Sequence, residues 1–178
     1  MKTNLVRVLS LGLAIAMFGC ARQHEKTRVE SSHKTGFSQA GVSLVLGQEW
    51  QSNAAAPPGL RPPTLTSDAG IIRVVLLPQD RANPELVADG LRQAFENNPK
   101  AAKHSFRRQL FTSATGVQGI CISYLEINDQ NGRMTEVQNS HFLVRNRASR
   151  CVAINYLASA GADSTAVSRT IRSTLALQ

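Results

Sequence analysis

Residues 117–145, VQGICISYLEINDQNGRMTEVQNSHFLVR, contain two strand-like segments on either side of one turn dipeptide. The segments Val117 to Ile127 and Met134 to Arg145 are rich in the β-branched and aromatic residues that are typical of strands. Asn131-Gly132 lies between them and favours a type I′ turn, because both central residues of that turn need a positive φ. The stretch therefore predicts a long antiparallel β-hairpin.

The segments around this hairpin extend it into a meander with helices beside it. Asn83 followed by Pro84 is typical of a helix start, with the asparagine as N-cap and the proline at the first helical position. A last helix opens at Asp163 or Ser164. Both helices are apolar on one side only, so we expect an α+β fold with an antiparallel sheet and helices packed on it. The further strand candidates are Val42 to Leu46, Ile71 to Leu77, Phe106 to Phe111 and Cys151 to Ala158.

The first twenty residues have the layout of an export signal. Two cations precede an apolar run from Val8 to Phe18, which is shorter than the roughly 20 residues that a membrane span needs. The order Ala16-Met17-Phe18-Gly19-Cys20 resembles the lipobox of bacterial lipoproteins, in which the cysteine is acylated and becomes the new N-terminus. We therefore predict a lipoprotein signal peptide over residues 1–19 and lipidation at Cys20. The alternative is an ordinary signal peptide with an incidental cysteine.

Composition divides the rest of the chain into a tether and a domain. Residues 20–36 begin with the acylated cysteine and are polar, so we expect a flexible tether in which His24 and His33 are solvated. Residues 37–178 are expected to form a single α+β domain. The resemblance to Gram-negative lipoproteins implies an outer-membrane anchor facing the periplasm, because Ala21 follows the cysteine in place of aspartate.

The charge of the chain points to anionic partners. Removing residues 1–19 takes away Lys2 and Arg7 and lowers the formal net charge from +8 to +6. A basic surface favours lipid head groups, acidic polymers or nucleic acid. Export makes nucleic acid the least suitable of the three, and we expect none to bind.

The order of elements resembles that of a known family. A short strand leads to the only tryptophan in GVSLVLGQEWQ, residues 41–51, and a strand, a helix, a long meander and a closing helix follow. This order, over roughly residues 36–178, resembles the PsbP-like α/β/α sandwich family, which includes small exported lipoproteins related to DcrB. The resemblance implies an accessory or partner-binding protein and not an enzyme. Trp50 is then expected to fill the core and not to serve as a ligand platform.

Cys121 and Cys151 leave two alternatives open. In an oxidising compartment they would pair if their Cα atoms came within about 7 Å. The predicted turns place Cys121 opposite Ser140 and Ser140 opposite Asn155, which separates the two cysteines by two strands. The other interpretation is two buried apolar thiols, the usual state of free cysteine.

No catalytic or metal-binding pattern appears in the sequence. The serines lack a Gly-x-Ser-x-Gly elbow, and neither downstream cysteine is placed at a predicted helix N-terminus beside His104 or His141. The spacings His-x-x-x-His and Cys-x-x-Cys are missing, so we expect no metal and no cofactor. A hydrolase whose site is invisible in one sequence is left as a third hypothesis.

Arg145, Arg147 and Arg150 surround the turn after the long hairpin. They are interpreted either as solvated loop charges or as a positive face that contacts anionic lipid or an acidic partner. Taken together, the sequence favours a membrane-anchored cell-envelope lipoprotein that acts as a non-enzymatic accessory or partner-binding module with an unknown envelope protein. The alternative is a carrier of a lipid or another small apolar ligand. An open apolar cavity would favour the carrier, and a packed core would favour the partner-binding module.

Overall fold

The computed structural model describes residues 32–52, 62–130 and 133–178. The predicted signal peptide, Cys20, residues 20–31 of the predicted tether and the Asn131-Gly132 turn lie outside these residues. The helices are α1 Pro84–Asn97 and α2 Ser164–Thr174. The strands are β1 Ser32–Phe37, β2 Val42–Gly47, β3 Gln51–Ser52, β4 Thr64–Ser67, β5 Gly70–Leu76, β6 Arg107–Thr112, β7 Gln118–Gln130, β8 Arg133–Arg145, β9 Cys151–Ala158 and β10 Ala176–Leu177.

The described strands form two antiparallel sheets. The larger sheet has seven strands in the order β3-β4-β5-β9-β8-β7-β6, and the smaller has three in the order β1-β2-β10. Helix α1 packs on one face of the larger sheet, while α2 and the smaller sheet pack on the other. The predicted α+β class, an antiparallel sheet with helices packed on it, is confirmed.

The long hairpin of β7 and β8 is buried on both of its faces. Side chains alternate between the two faces of a strand, so Ile122 and Leu143 point toward α1 while Phe142 and Val144 point toward α2. All four are fully buried. The domain therefore has two apolar cores, one on each side of the same sheet.

Local interactions fix where α1 begins, and one of its sides packs against this sheet. The side-chain oxygen of Asn83 accepts a hydrogen bond from the Glu85 amide at 3.1 Å, and Pro84 is the first helical residue, as predicted. Phe95 is buried against the sheet, while its apolar neighbour Ala94 is exposed. The helix therefore covers the sheet with a narrower apolar side than its sequence indicates.

Two aromatic contacts close the core on the α2 side. Phe111 lies opposite Gly119 across β6 and β7, and its ring meets Phe142 edge-on with centroids 6.1 Å apart. A side chain at position 119 would come within 2.7 Å of the Phe111 ring, so only glycine leaves room for that packing. Trp50 is buried and meets Tyr156 edge-on at 6.2 Å, which confirms its predicted place in the core.

The predicted boundary between tether and domain at residue 37 is wrong by five residues, because β1 begins at Ser32. Residues 32–36 are polar, and most of their side chains are exposed. They join the fold through main-chain pairing with β2, for example Thr35 with Leu44, and this pairing does not require apolar side chains. His33, predicted to lie in the tether, is an exposed residue of this strand.

The predicted register of the long hairpin is also shifted. Cys121 lies opposite Phe142 and not Ser140, and Ser140 lies opposite Tyr156 and not Asn155. The first pair is shifted by two residues and the second by one. An even shift keeps the same face of the partner strand, and an odd shift changes it.

The packing predicts a clear difference in stability between changes at two leucines, Leu143 of β8 and Leu110 of β6, which lie on the same face of the sheet on either side of β7. Leu143→Ala removes a fully buried side chain and is expected to lower the free energy of unfolding by about 3 kcal/mol, because it leaves a cavity in the α1 core. Leu110→Ala is the matched control, since Leu110 is 78% exposed and the change should be within about 0.5 kcal/mol. Urea denaturation of both variants measures the difference, and equal losses would contradict the packing described above.

Candidate binding surface

An apolar groove of about 490 Å³ opens at the surface between the start of α1 and strands β6 to β8. The buried side chains of Ile120 and Leu143 line it together with the exposed side chain of Leu110. Pro84 borders it from the helix, and Arg145 contributes a cation. Its volume lies within the range of about 300–1,000 Å³ that is typical of small-molecule pockets.

An ion-pair cluster holds α1 next to the groove. The guanidinium of Arg108 on β6 pairs with the Glu85 carboxylate and lies 4.0 Å from the Asp89 carboxylate, both on α1. All three side chains are substantially exposed, so each pair adds at most about 1 kcal/mol. Their consequence for the groove is electrostatic: the positive charge of Arg108 is neutralised, while that of Arg145 is not.

The three arginines that were predicted to contact an anionic partner separate into two kinds. Arg145 and Arg147 are exposed, and neither has a carboxylate within 4.0 Å in the described part of the chain. Arg150 is half-buried, and its guanidinium donates a hydrogen bond to the Leu77 carbonyl at 2.9 Å. Arg150 thus ties the β8–β9 turn to the end of β5, and only Arg145 and Arg147 are free to meet a ligand.

The β8–β9 turn lies far from the point where the chain enters the domain. The Asn146 side-chain amide donates to the Ala40 carbonyl at 3.0 Å, which places this turn beside the β1–β2 turn. Strand β1 starts at the other end of its hairpin, where Ser32 pairs with Gly47. Six residues of strand span on the order of 20 Å, so the turn that carries the arginines and the entry point are at opposite ends of the β1–β2 hairpin.

The two downstream cysteines are free and lie on opposite faces of the sheet. Cys121 belongs to the core under α2, and Cys151 to the core under α1. Burial raises the pKa of each thiol to about 11, against weaker opposing effects of Arg172 on Cys121 and Arg145 on Cys151. Both thiols are therefore protonated near neutral pH, the state expected of buried apolar cysteines. A disulfide between them, the first of the two alternatives, would have to cross the sheet, and the structure has the second alternative of two buried free thiols.

A histidine network, which the sequence analysis did not identify, lies beside α1. One ring nitrogen of His141 is 2.8 Å from the Asn155 side-chain oxygen, and the other is 3.2 Å from the Tyr124 hydroxyl. The Tyr124 and His141 rings stack with centroids 5.6 Å apart. Burial lowers the pKa of His141, and a weaker raising effect comes from its hydrogen bond to Asn155. His141 is thus held neutral with both nitrogens engaged.

Among the residues that the structure describes, the hydrogen-bond partners of His141 are Asn155 and Tyr124, and neither a serine nor a carboxylate is bonded to it as in a hydrolase triad, although the Glu126 carboxylate weakly raises its pKa. Ser140 precedes His141 in β8, points to the opposite face and lies 3.4 Å from the Ser168 hydroxyl. Within residues 32–52, 62–130 and 133–178, no group of three or more His, Cys, Asp or Glu side chains is arranged to hold a metal ion. None of the helices in those ranges is long and apolar enough to cross a membrane.

The comparisons with known proteins yield structural likenesses alone. No protein-family model matches the chain, and no curated protein matches it. The chain is similar to the solution structure of the cyanobacterial PsbP, CyanoP, from Synechocystis sp. PCC 6803, with 12% identity, a TM-score of 0.48, and 85% of this chain and 95% of that chain covered. It is also similar to the crystal structure of LpqN, involved in cell envelope biogenesis of Mycobacterium tuberculosis, with 13% identity, a TM-score of 0.44, and 83% and 91% covered. Both TM-scores lie below 0.5, so neither likeness assigns this chain a family or an activity.

The lowered pKa of His141 predicts a loss of stability in acid. As the pH falls below the ordinary histidine pKa of about 6.5, the unfolded chain binds a proton at this position while the folded chain does not, so folding becomes less favourable. One such proton accounts for at most about 1.4 kcal/mol at pH 5.5.

Urea denaturation at pH 7.5 and pH 5.5 measures this effect. Between pH 7.5 and pH 5.5, the free energy of unfolding should fall further in the wild-type protein than in His141→Gln. The control is His104→Gln, a change at an exposed ring, in which the fall should equal that of the wild type because His141 is intact. An identical loss in the wild type and in His141→Gln would show that the network does not titrate as described.

Proposed function

We propose that this chain is a cell-envelope lipoprotein, anchored through Cys20 and acting as a non-enzymatic accessory or partner-binding module. The observation that carries the proposal is the apolar groove that opens at the surface beside Leu110, while the side chains of both cores are buried. Apolar surface of this kind, next to unpaired cations, is typical of an interaction site. The resemblance of residues 1–20 to an export signal with a lipobox supports a location in the envelope, where we expect the module to be anchored in the outer membrane and to face the periplasm.

The position of the arginines supports a protein partner over a lipid surface. An acyl chain on Cys20 would hold the Ser32 end of the domain closest to the bilayer. Arg145 and Arg147 lie at the opposite end and would face the periplasm. A positive surface that points away from the membrane suits an acidic partner better than it suits lipid head groups.

The groove volume favours the carrier as the second candidate. A volume of about 490 Å³ with apolar residues at its base would accept a small apolar ligand, and Arg145 would attract an acidic group on that ligand. The cores on either side of the sheet are packed, so a carried ligand would lie in an open groove and remain in contact with water. This exposure is why the partner-binding module is the leading proposal.

The anchor is tested by changing the export signal. The protein expressed with its native signal should sediment with membranes. Detergent should release it and high salt should not, because the anchor is apolar and acyl chains contribute roughly 0.8 kcal/mol for each buried CH₂ group. Replacing residues 1–20 with a cleavable signal peptide that lacks a lipobox should leave the protein in the soluble periplasmic fraction. Mass spectrometry of the N-terminal peptide should find acyl chains on Cys20. Release of the native protein by salt alone would remove the anchor from the proposal.

The partner-binding role is tested by affinity capture from detergent-solubilised envelope, with the tagged lipoprotein at its native level. We expect one protein to co-purify in stoichiometric amount and to be lost when Arg145 and Arg147 are both changed to glutamate. Arg73→Glu, a change at an exposed arginine on β5, is the matched control and should retain the partner. A preparation that contains lipid but no protein partner would overturn the leading proposal in favour of the carrier.

A further inference from the structure

Strand β6 is a six-residue strand at the edge of the seven-stranded sheet. One side of its backbone pairs with β7, from Arg107 opposite Ser123 to Thr112 opposite Gln118. On its other side, its main chain forms no backbone hydrogen bond with any residue that the structure describes. An edge of unpaired N–H and C=O groups is a template on which another extended segment can add as a strand.

On the α1 face of the sheet, a row of apolar side chains runs across the strands and stops at this edge. Leu143, Ile120 and Leu110 lie opposite one another across β8, β7 and β6, and the row ends at Leu110, which is 78% exposed. The groove lies along this row. An apolar side chain on an added strand, opposite Leu110, would continue the row and cover the leucine, since cross-strand neighbours on one face contact each other.

On the α2 side, the same edge presents an unsatisfied cation. The Arg172 guanidinium reaches Gln109 of β6 in a long 3.4 Å hydrogen bond, and its Nε atom is buried without a hydrogen-bond partner. No carboxylate of the described residues lies within 4.0 Å of it. The terminal nitrogens of this guanidinium are open at the edge, where Nη1 reaches Gln109, so a carboxylate from an added strand would pair with its charge.

We propose that β6 is a docking edge for an extended segment of a partner protein in which apolar and acidic residues alternate. Successive residues of a strand point to opposite faces, so the apolar residue would enter the groove beside Leu110 while its acidic neighbour meets Arg172. The inference rests on the proposed partner-binding function and names the surface that performs it. A second copy of β6 fits poorly, because this strand contains two arginines and no acidic residue to offer Arg172.

The test uses the full lipoprotein in detergent and a fluorescent eight-residue peptide in which valine and glutamate alternate. We expect this peptide to bind by fluorescence anisotropy. A peptide with lysine in place of glutamate, and one with proline at its centre, should bind at least tenfold more weakly. The first lacks a carboxylate for Arg172, and the second lacks a main-chain donor. Failure of the glutamate peptide to bind, or equal binding of the lysine peptide, overturns the proposal.

Matched variants locate the binding. Leu110→Lys and Arg172→Gln should each weaken binding of the glutamate peptide at least tenfold. Leu86→Lys changes a leucine of α1 that is 63% exposed, and Arg73→Gln changes an exposed arginine four strands away; both should bind as the wild type does. Equal weakening by Leu110→Lys and Leu86→Lys would overturn the assignment to β6.

Two further outcomes separate this inference from the proposed function. If a captured envelope partner is retained by Leu110→Lys, the docking edge is wrong while the partner-binding function stands. If the peptide binds at β6 but no partner is captured from the envelope, the edge stands and the proposed function fails. Sedimentation equilibrium that finds a dimer abolished by Leu110→Lys would assign the edge to a second copy and overturn the choice of occupant.

Discussion

The pairing of β7 with β8 is the interaction on which the rest of this structure depends. Each strand has thirteen residues, and their central parts bury apolar side chains on both faces. A sheet that is apolar on both sides requires a covering layer on each. Helix α1 provides one layer, and α2 with the small β1-β2-β10 sheet provides the other. The order of layers follows from this single requirement.

The two layers do not cover the hairpin equally. The α2 side carries the larger core, which includes Trp50, Phe142 and Tyr156, and its small sheet is closed by β10 pairing with β2 near the C-terminal end of the chain. The α1 side has one helix, whose inward side is narrow, and its N-terminal end leaves a groove over β6 to β8. The site that the structure offers for binding is therefore the part of the sheet that its covering layer leaves open.

The arginines also divide into those that have a partner within the fold and those that do not. Arg108 is neutralised by two carboxylates of α1, and Arg150 is held by the Leu77 carbonyl, so both serve the fold. Arg145 and Arg172 lie on opposite faces of the sheet near its β6 edge and have no carboxylate partner in the ranges the structure describes. A partner that supplies acidic groups along this edge would pair with the cations on both faces at once, so the edge and the groove form one surface.

The sequence by itself determined the features that depend on neighbouring residues. The start of α1 could be predicted at Asn83-Pro84 because capping is a local interaction, and the long strands because their side chains are apolar and β-branched. The register of the meander was not among these features, because the partner of Cys121 is two residues and the partner of Ser140 one residue away from the predicted one. The tertiary structure alone decided the features that depend on distant segments. Strand β1 forms through main-chain pairing to β2 and not through its polar side chains, so its composition gave no signal. The exposed edge at β6, the groove beside Leu110 and the unpartnered Nε of Arg172 arise where separate elements meet, and a linear sequence does not specify which strand is left without a neighbour.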